Sequence, residues 1–317
     1  MDSLQLKLGC SLIFIGLLFS PHAWSAPVLN LGIGVDAMYF DYREFDDNDI
    51  LLNKEEGLLP GLVLSATLDW ENWYSELNYQ YNRGTVEYDG QTQSGIPIIT
   101  ETEEDIIDVN LLVGRYFGGA AAYRSAIYAG LGYFYWERNI LSTGSVSGLF
   151  ETYEWSYALL GGKFSLLKSN KNGLLLDVRL RRMLNATMEV DFLGYQNYDN
   201  LELDIGEEWS LRVALPYFMT IDQHARFSIE PYLTTWFIGR SPDEQITSGG
   251  VPIGISAYEP RSETTNVGIS FKYLYSFWHV IAGNSRRINA LEAWIYRCQL
   301  LYNGISDYLC YYLFNNN

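Results

Sequence analysis

Most of the side chains in this sequence that could do chemistry are carboxylates. Asp46, Asp47 and Asp49 lie within four consecutive positions. Hard divalent cations are held by several carboxylate oxygens at once, so these three residues are candidate ligands for such a cation. The segment lacks the glycine and the distal glutamate of a calcium-binding loop. The favoured interpretation is therefore an ordinary solvated acidic loop, with cation binding as the alternative.

The overall charge argues against several classes of partner and cofactor. The chain has 38 acidic and 21 basic residues, a net charge of −17, and no run of Lys or Arg, so we expect no nucleic-acid partner. Gly32-Ile33-Gly34 and Gly130-Leu131-Gly132 resemble fragments of a phosphate-binding loop. No helix is predicted after either of them, so we expect no dinucleotide cofactor, and no other cofactor is predicted.

The elements that must position these residues are β-strands. Beyond residue 26 the dominant hydrophobic period is two, as in Leu29, Leu31, Ile33 and Val35. The content of aromatic residues (15%) and of glycine (28 residues) also favours a β-rich fold. Ten strands are predicted, centred on residues 29–39, 62–70, 76–82, 107–114, 127–136, 153–159, 174–181, 209–217, 227–237 and 266–273.

The predicted connections alternate strictly between short and long. Segments 71–72, 118–123, 168–173 and 220–225 are short, whereas 43–57, 84–105, 139–150, 189–208 and 240–263 are long. An extra hairpin within 84–105 would raise the strand count to twelve. Short periplasmic turns and long outer loops are typical of transmembrane barrels. Aromatic residues at the predicted strand ends suggest the two membrane interfaces: Tyr39, Trp70, Trp73, Tyr81, Phe117, Tyr135, Tyr153, Trp155, Trp209, Tyr217, Phe227 and Phe237.

On these features the chain resembles the outer-membrane β-barrel proteins of Gram-negative bacteria, in architecture rather than through any family motif. The resemblance implies an antiparallel transmembrane β-barrel in the cell outer membrane, surrounded by outer-membrane lipid and lipopolysaccharide. Residues 1–25 read as a signal peptide, because their apolar run is too short for a membrane helix. Residues 26–277 form the predicted barrel.

Residues 278–317 do not share the strand pattern. Apolar residues at Ile288, Leu291, Ile295 and Cys298 have helical spacing. The segment is expected to be a periplasmic appendage, or else sequence read past the natural stop. The second interpretation is preferred, because such barrels usually end at an aromatic residue of the last strand.

Charged residues are predicted to face the lumen. A ten-stranded barrel is narrow enough for side chains to fill it, and charges removed from water must be paired. We therefore predict an internal ion-pair network, with a charged constriction of a small pore as the alternative. Its members are Asp36, Glu76, Asp108, Asp177, Arg179, Arg181, Arg212, Glu230 and Lys272.

Catalysis is not expected. Known outer-membrane barrel enzymes, among them omptin-like proteases, phospholipases and lipid A acylation enzymes, use a histidine to move a proton. Beyond residue 25 the only histidines are His224, in a predicted periplasmic turn, and His279, in the C-terminal segment.

More than half of the acidic residues lie in four of the long loops, which also predicts the function. We expect a surface barrel whose acidic loops bind an unidentified extracellular partner and whose lumen is filled. The alternatives are a narrow, porin-like channel for small solutes or cations and, less favoured, a hydrolase at the outer rim.

Overall fold

The computed structural model describes residues 27–92, 95–117, 124–169 and 171–277. The predicted signal peptide (residues 1–25) and the C-terminal segment (residues 278–317) lie outside these residues. Within the described part of the chain, no helix is long and apolar enough to cross a membrane.

Nearly all of the described residues belong to strands. The strands are β1 (Val28–Phe45), β2 (Leu51–Asp69), β3 (Trp73–Gln91), β4 (Pro97–Phe117), β5 (Ser125–Ile140), β6 (Leu149–Lys168), β7 (Asn172–Asp191), β8 (Leu201–Asp204), β9 (Trp209–Ala214), β10 (Tyr217–Thr220), β11 (Ala225–Ile238), β12 (Glu244–Ser248), β13 (Val251–Ala257) and β14 (Arg261–Phe277). A short 3-10 turn spans Tyr195–Asn197.

These strands form a closed antiparallel barrel of ten strands, which confirms the predicted architecture. Each of the ten barrel strands pairs with the next barrel strand along the chain, and β14 pairs with β1 to close the sheet. Segments β8, β9 and β10 together make one barrel strand, because all three pair with β7. Pro216 lies between β9 and β10, where it has no N–H to offer the ladder. The hairpin β12–β13 stands outside the barrel wall.

The strands extend much further outward than predicted. Segments 43–57 and 84–105 were expected to be loops, but most of their residues continue β1 to β4, and the remaining turns are short. β4 alone has 21 residues, whereas about 9–11 tilted residues cross a bilayer. The described residues of 84–105 continue β3 and β4, which pair with each other, and form no extra hairpin; the added hairpin is β12–β13, within 240–263.

In the half of the barrel nearer the periplasmic turns, which we call the inner half, the side chains that point away from the lumen are apolar, as a membrane requires. Exposed residues of this band include Ile33, Val35, Leu62, Leu64, Leu77, Leu111, Val113, Ile127, Leu131, Leu160, Leu180, Leu211, Leu233, Val267 and Phe271. Exposed rings of Tyr39, Trp209 and Phe237 lie at its outer edge. Beyond these rings the outward residues become charged, and we call this part of the barrel the outer extension.

The aromatic face of β6 turns into the lumen. Tyr153 and Trp155 were predicted to lie at the membrane interface, but both are buried in the lumen together with Tyr157 and Leu159. Both faces of β6 carry large apolar residues, so alternation alone did not distinguish inside from outside. The lumen takes the rings because it must be filled at that level.

Candidate functional site

The predicted lumen residues all lie inside the barrel, and most are paired. Arg179 Nη2 lies 2.8 Å from Asp177 Oδ2, and Arg181 Nη1 lies 3.0 Å from Asp108 Oδ2. Glu230 receives two cations, with Lys272 Nζ at 2.7 Å and Arg212 Nη2 at 3.1 Å. Apart from the Arg179–Asp177 pair, which lies within β7, these contacts join different strands, because the closed barrel directs alternate side chains toward one axis.

Two of the predicted residues have partners outside the predicted set. Glu76 Oε2 lies 2.6 Å from Lys163 Nζ, a base that sequence reasoning missed. Lys163 lies on the face of β6 that also carries Tyr153 and Trp155, and no residue of that strand was among the predicted lumen residues. Asp36 accepts hydrogen bonds from neutral donors, including Tyr232 Oη and Asn82 Nδ2, both at 2.8 Å.

These charges surround a cavity in the inner half of the barrel, which we call the lower chamber. Its volume is about 310 Å³. Its lining runs from Arg181 and Asp108 down to Tyr116, Arg124 and Arg226 near the periplasmic ends of the strands.

A layer of aromatic rings separates the lower chamber from the outer extension. We call Phe134, Trp155, Tyr157 and Trp236 the aromatic layer. The rings of Phe134 and Trp155 stack with centroids 4.4 Å apart, and Trp236 meets Trp155 at 5.3 Å and Tyr157 at 5.5 Å. The two cavities found at this level have volumes of about 20 and 10 Å³. A volume of this order holds about one water molecule, so the layer closes the lumen.

Above the aromatic layer, buried glutamates surround Arg138. We call Glu44, Glu55, Glu104, Glu151 and Glu259 the glutamate cluster. Arg138 contacts three of them, with Nη2 at 2.5 Å from Glu55 Oε1 and Nη1 at 2.6 Å from Glu151 Oε2 and 2.9 Å from Glu44 Oε1. The Arg138 side chain is 1% exposed. The excess of carboxylates requires some of them to hold a proton, since uncompensated buried charge is costly.

The surroundings of the remaining two glutamates, Glu104 and Glu259, favour their protonated forms. Glu104 accepts a hydrogen bond from the indole of Trp136. Burial raises its pKa well above the ordinary value, and the adjacent Glu55 raises it further. Glu259 accepts a hydrogen bond from Tyr153 Oη at 2.8 Å, and burial, then the charges of Glu44 and Glu151, raises its pKa as well.

Sequence reasoning missed the glutamate cluster because four of its five members lay in predicted loops. A usable signal was present: the period-two alternation continues past the membrane band, as in Met38, Phe40, Tyr42 and Glu44, which are all buried. The partners of Arg138 could not be found in this way, because they come from different strands.

The candidate cation loop is engaged in other contacts. Asp46 Oδ1 accepts the backbone N–H groups of Asn48 and Ile50, both at 2.8 Å, and so closes the β1–β2 turn. Asp47 and Asp49 turn toward Arg240 and Arg261, at 3.3 and 2.7 Å. Among the described residues, no group of three or more His, Cys, Asp or Glu is placed to hold a metal ion. The three carboxylates therefore do not converge on a cation position.

The histidine among the described residues lies at the other end of the barrel. His224 lies in the periplasmic turn between β10 and β11, where its ring nitrogen Nδ1 is 3.2 Å from the carbonyl oxygen of Ser276. His279 lies outside the described residues.

Comparison with solved structures finds outer-membrane barrels. The outer-membrane protease OmpT from Escherichia coli aligns with a TM-score of 0.52 at 9% identity, over 81% of this chain and 99% of that chain. OprG from Pseudomonas aeruginosa aligns with a TM-score of 0.37 at 12% identity, over 80% of this chain and 97% of that chain. The toluene transporter TodX from Pseudomonas putida aligns with a TM-score of 0.32 at 10% identity, over 79% of this chain and 90% of that chain. At these identities the likeness is one of fold alone. No protein-family model matches the sequence. No curated protein sequence matches it either.

Proposed function

We propose that this outer-membrane β-barrel protein is a closed, non-enzymatic surface barrel whose outer extension binds a basic partner outside the cell. The observation that carries the proposal is the aromatic layer, which fills the lumen between the lower chamber and the glutamate cluster. Because the aromatic layer fills the lumen, the outward face of the outer extension is the surface available to molecules outside the cell.

That surface has an unfavourable arrangement of like charges. Glu56, Glu87 and Glu101 lie directly opposite one another on β2, β3 and β4, and we call them the glutamate row. Like charges in directly opposed positions destabilise a sheet. Lys54 lies 2.7 Å from Glu56, but Glu87 and Glu101 are exposed and have no cation within 4 Å among the described residues. A partner that brought positive charge to the row would relieve this repulsion.

The non-enzymatic part of the proposal rests on access. Glu55 and Glu104 are the most deeply buried carboxylates of the glutamate cluster, and Arg138 and Trp136 hold them from within the barrel. A substrate outside the barrel would not reach them. The described histidine, His224, lies at the periplasmic end, far along the barrel from this cluster.

A narrow channel is the less supported alternative. The lower chamber would provide a charged half-pore, but a hydrated ion would have to pass an aromatic layer whose cavities each hold about one water.

Binding of a cationic probe tests the proposed surface. The full chain is folded in a nonionic detergent and titrated with a fluorescent oligolysine peptide at physiological salt. The variant Glu87→Gln/Glu101→Gln removes two charges from the glutamate row. The matched control Glu202→Gln/Asp204→Asn removes two exposed charges from β8 on another part of the outer extension.

Saturable binding that weakens at least fivefold in the row variant, and less than twofold in the control, is the expected result. Equal weakening in both variants would show diffuse attraction to an acidic protein, which screening by salt also weakens. That result, or no binding at physiological salt, would overturn the proposed surface.

A further inference from the structure

The lower chamber has a charge opposite in sign to the rest of the protein. Seven basic side chains line it against five acidic ones, whereas the whole chain has a net charge of −17. Asp36, the other carboxylate at this level, is not part of the lining, but Ser270 and Gln80 of the lining donate hydrogen bonds to it. Counting its charge reduces the surplus from two to one. Low-dielectric walls concentrate the field of such a surplus inside a cleft, which favours entry of negative ions.

The surplus arises at two places. The first is Glu230, where one carboxylate serves both Arg212 and Lys272. The second is the periplasmic end, where Arg124 and Arg226 lie near the single lining carboxylate of Asp69. Within the described residues neither arginine has a carboxylate within 4 Å; Arg226 donates to Asn30 Oδ1 at 3.2 Å, and Arg124 stacks on Tyr116 with 3.9 Å to the ring centroid.

A guanidinium with an unpaired N–H forms the end of the chamber nearest the aromatic layer. Arg181 is 2% exposed and donates from Nη1 to Asp108, but its Nε has no acceptor among the described residues. Its charge lies 4.8 Å from the ring of Trp236 and 5.4 Å from that of Tyr157. Because Arg181 lines the chamber, its positive charge adds to the attraction of an anion there.

We propose that the lower chamber is a binding site for a small anion with carboxylate or phosphate groups, entered from the periplasmic side. A volume of about 310 Å³ is at the small end of ligand pockets, which limits the ligand to a few heavy atoms beyond the anionic groups. Lys272 and Arg212 would bind one anionic group, and Arg226 would attract the ion at the entrance. The proposal is independent of what the outer extension binds.

Calorimetric titration with inorganic phosphate and with succinate tests the site. The full chain is folded in a nonionic detergent without phospholipid, so that no lipid headgroup supplies phosphate, and ionic strength is held constant with chloride. Lys272→Gln removes one of the two cations that share Glu230 and leaves the Arg212–Glu230 pair. Arg226→Gln removes the cation at the entrance. The matched control is Lys171→Gln, an exposed base in the β6–β7 periplasmic turn that does not line the chamber.

We expect saturable binding of at least one of the two anions, weakened tenfold or more by Lys272→Gln and by Arg226→Gln but less than twofold by Lys171→Gln. Heat-modifiable mobility on gels verifies that each variant is folded, and the two variants lie at separate places in case one does not fold. Absence of binding up to millimolar concentration, or equal weakening by Lys171→Gln, would overturn the proposal.

Discussion

Arg138 and its glutamates show how strongly the position of one side chain constrains its neighbours. The guanidinium makes close contacts to Glu44, Glu55 and Glu151, and Glu104 and Glu259 complete the cluster without contacting it at ion-pair distance. Buried charge of one sign without a counter-ion is strongly destabilising. The cluster is therefore stable only while part of it is protonated, and this makes the stability of the outer extension depend on pH.

The direction of this dependence follows from the pKa shifts. Burial raises the pKa of Glu151 from 4.5 to about 6, with Arg138 opposing, and the pKa values of Glu104 and Glu259 are raised well above the ordinary value. A group with a raised folded-state pKa stabilises the fold below its unfolded pKa and loses that contribution as pH rises. Stability should therefore fall through all three groups as pH rises above about 4.5; the contribution of Glu151 to this fall ends near pH 6, and Glu104 and Glu259 continue it above that pH.

Glu104→Gln tests this dependence, because the amide keeps an oxygen for Trp136 and cannot ionise. We expect the variant to unfold at higher denaturant concentration than wild type at pH 8 and at nearly the same concentration at pH 5. Glu103→Gln, at an exposed position on the same strand, is the control and should leave the pH profile unchanged. A wild-type stability that rises between pH 5 and 8 would contradict the prediction.

At the scale of strands, tyrosine rings lie over glycines on the neighbouring strand. Gly132 is directly opposite Tyr157, and Gly268 is directly opposite Tyr232. In both pairs a Cβ on the glycine would overlap the ring of the tyrosine. The missing side chain thus provides the space that lets large rings fill a narrow barrel, which explains the glycines better than a phosphate-binding loop does.

Gly132→Ala should destabilise the folded barrel by about 1–3 kcal/mol, since overpacking a filled interior forces strain. Denaturant unfolding in detergent measures the loss. Introducing Gly132→Ala into a Tyr157→Ser background removes the ring that would be struck, so the cost should shrink there by more than half. An equal cost in both backgrounds would show that the ring is not the cause.

For the molecule as a whole, the aromatic layer divides the interior into a basic chamber and an acidic cluster that do not communicate. The chamber reaches the periplasmic end, while the glutamate cluster belongs to the outer extension. This division is the reason why the two proposed binding surfaces differ in charge, with an acidic one outside the cell and a basic one inside the lumen.

Planar-bilayer recording tests the closure directly. We expect no unitary conductance steps from the wild-type barrel, and small reproducible steps from Phe134→Ala/Trp155→Ala/Trp236→Ala, because removing three rings joins the two compartments. Trp209→Ala removes an exposed ring on the outside of the barrel and should remain silent. Wild-type steps would contradict closure, and they would turn attention to Arg179, Arg181 and Arg212 as a constriction.

Much of the barrel could be predicted because its signals are local. Each strand is indicated by a hydrophobic period of two and each turn by its length, so the ten strands and their order could be predicted from the chain. The inward side of Asp177, Arg179 and Arg181 followed from the same alternation. β6 was the exception: its rings at Tyr153 and Trp155 alternate with the polar Glu154 and Ser156, but large rings suit either the lipid or a lumen that must be filled, and alternation alone does not decide between them.

The sequence by itself determined the strand count, the apolar outward band and the lumen charges of the membrane-spanning part other than Lys163, because these depend only on alternation within single strands. The tertiary structure decided which charges meet. Arg138 and Glu44 are 94 residues apart and Tyr153 and Glu259 are 106 apart, and only closure of the barrel and the return of the β13–β14 segment bring them together. It also decided the height of the outer extension and where the lumen is filled or open, since both depend on how side chains from all ten strands share one interior.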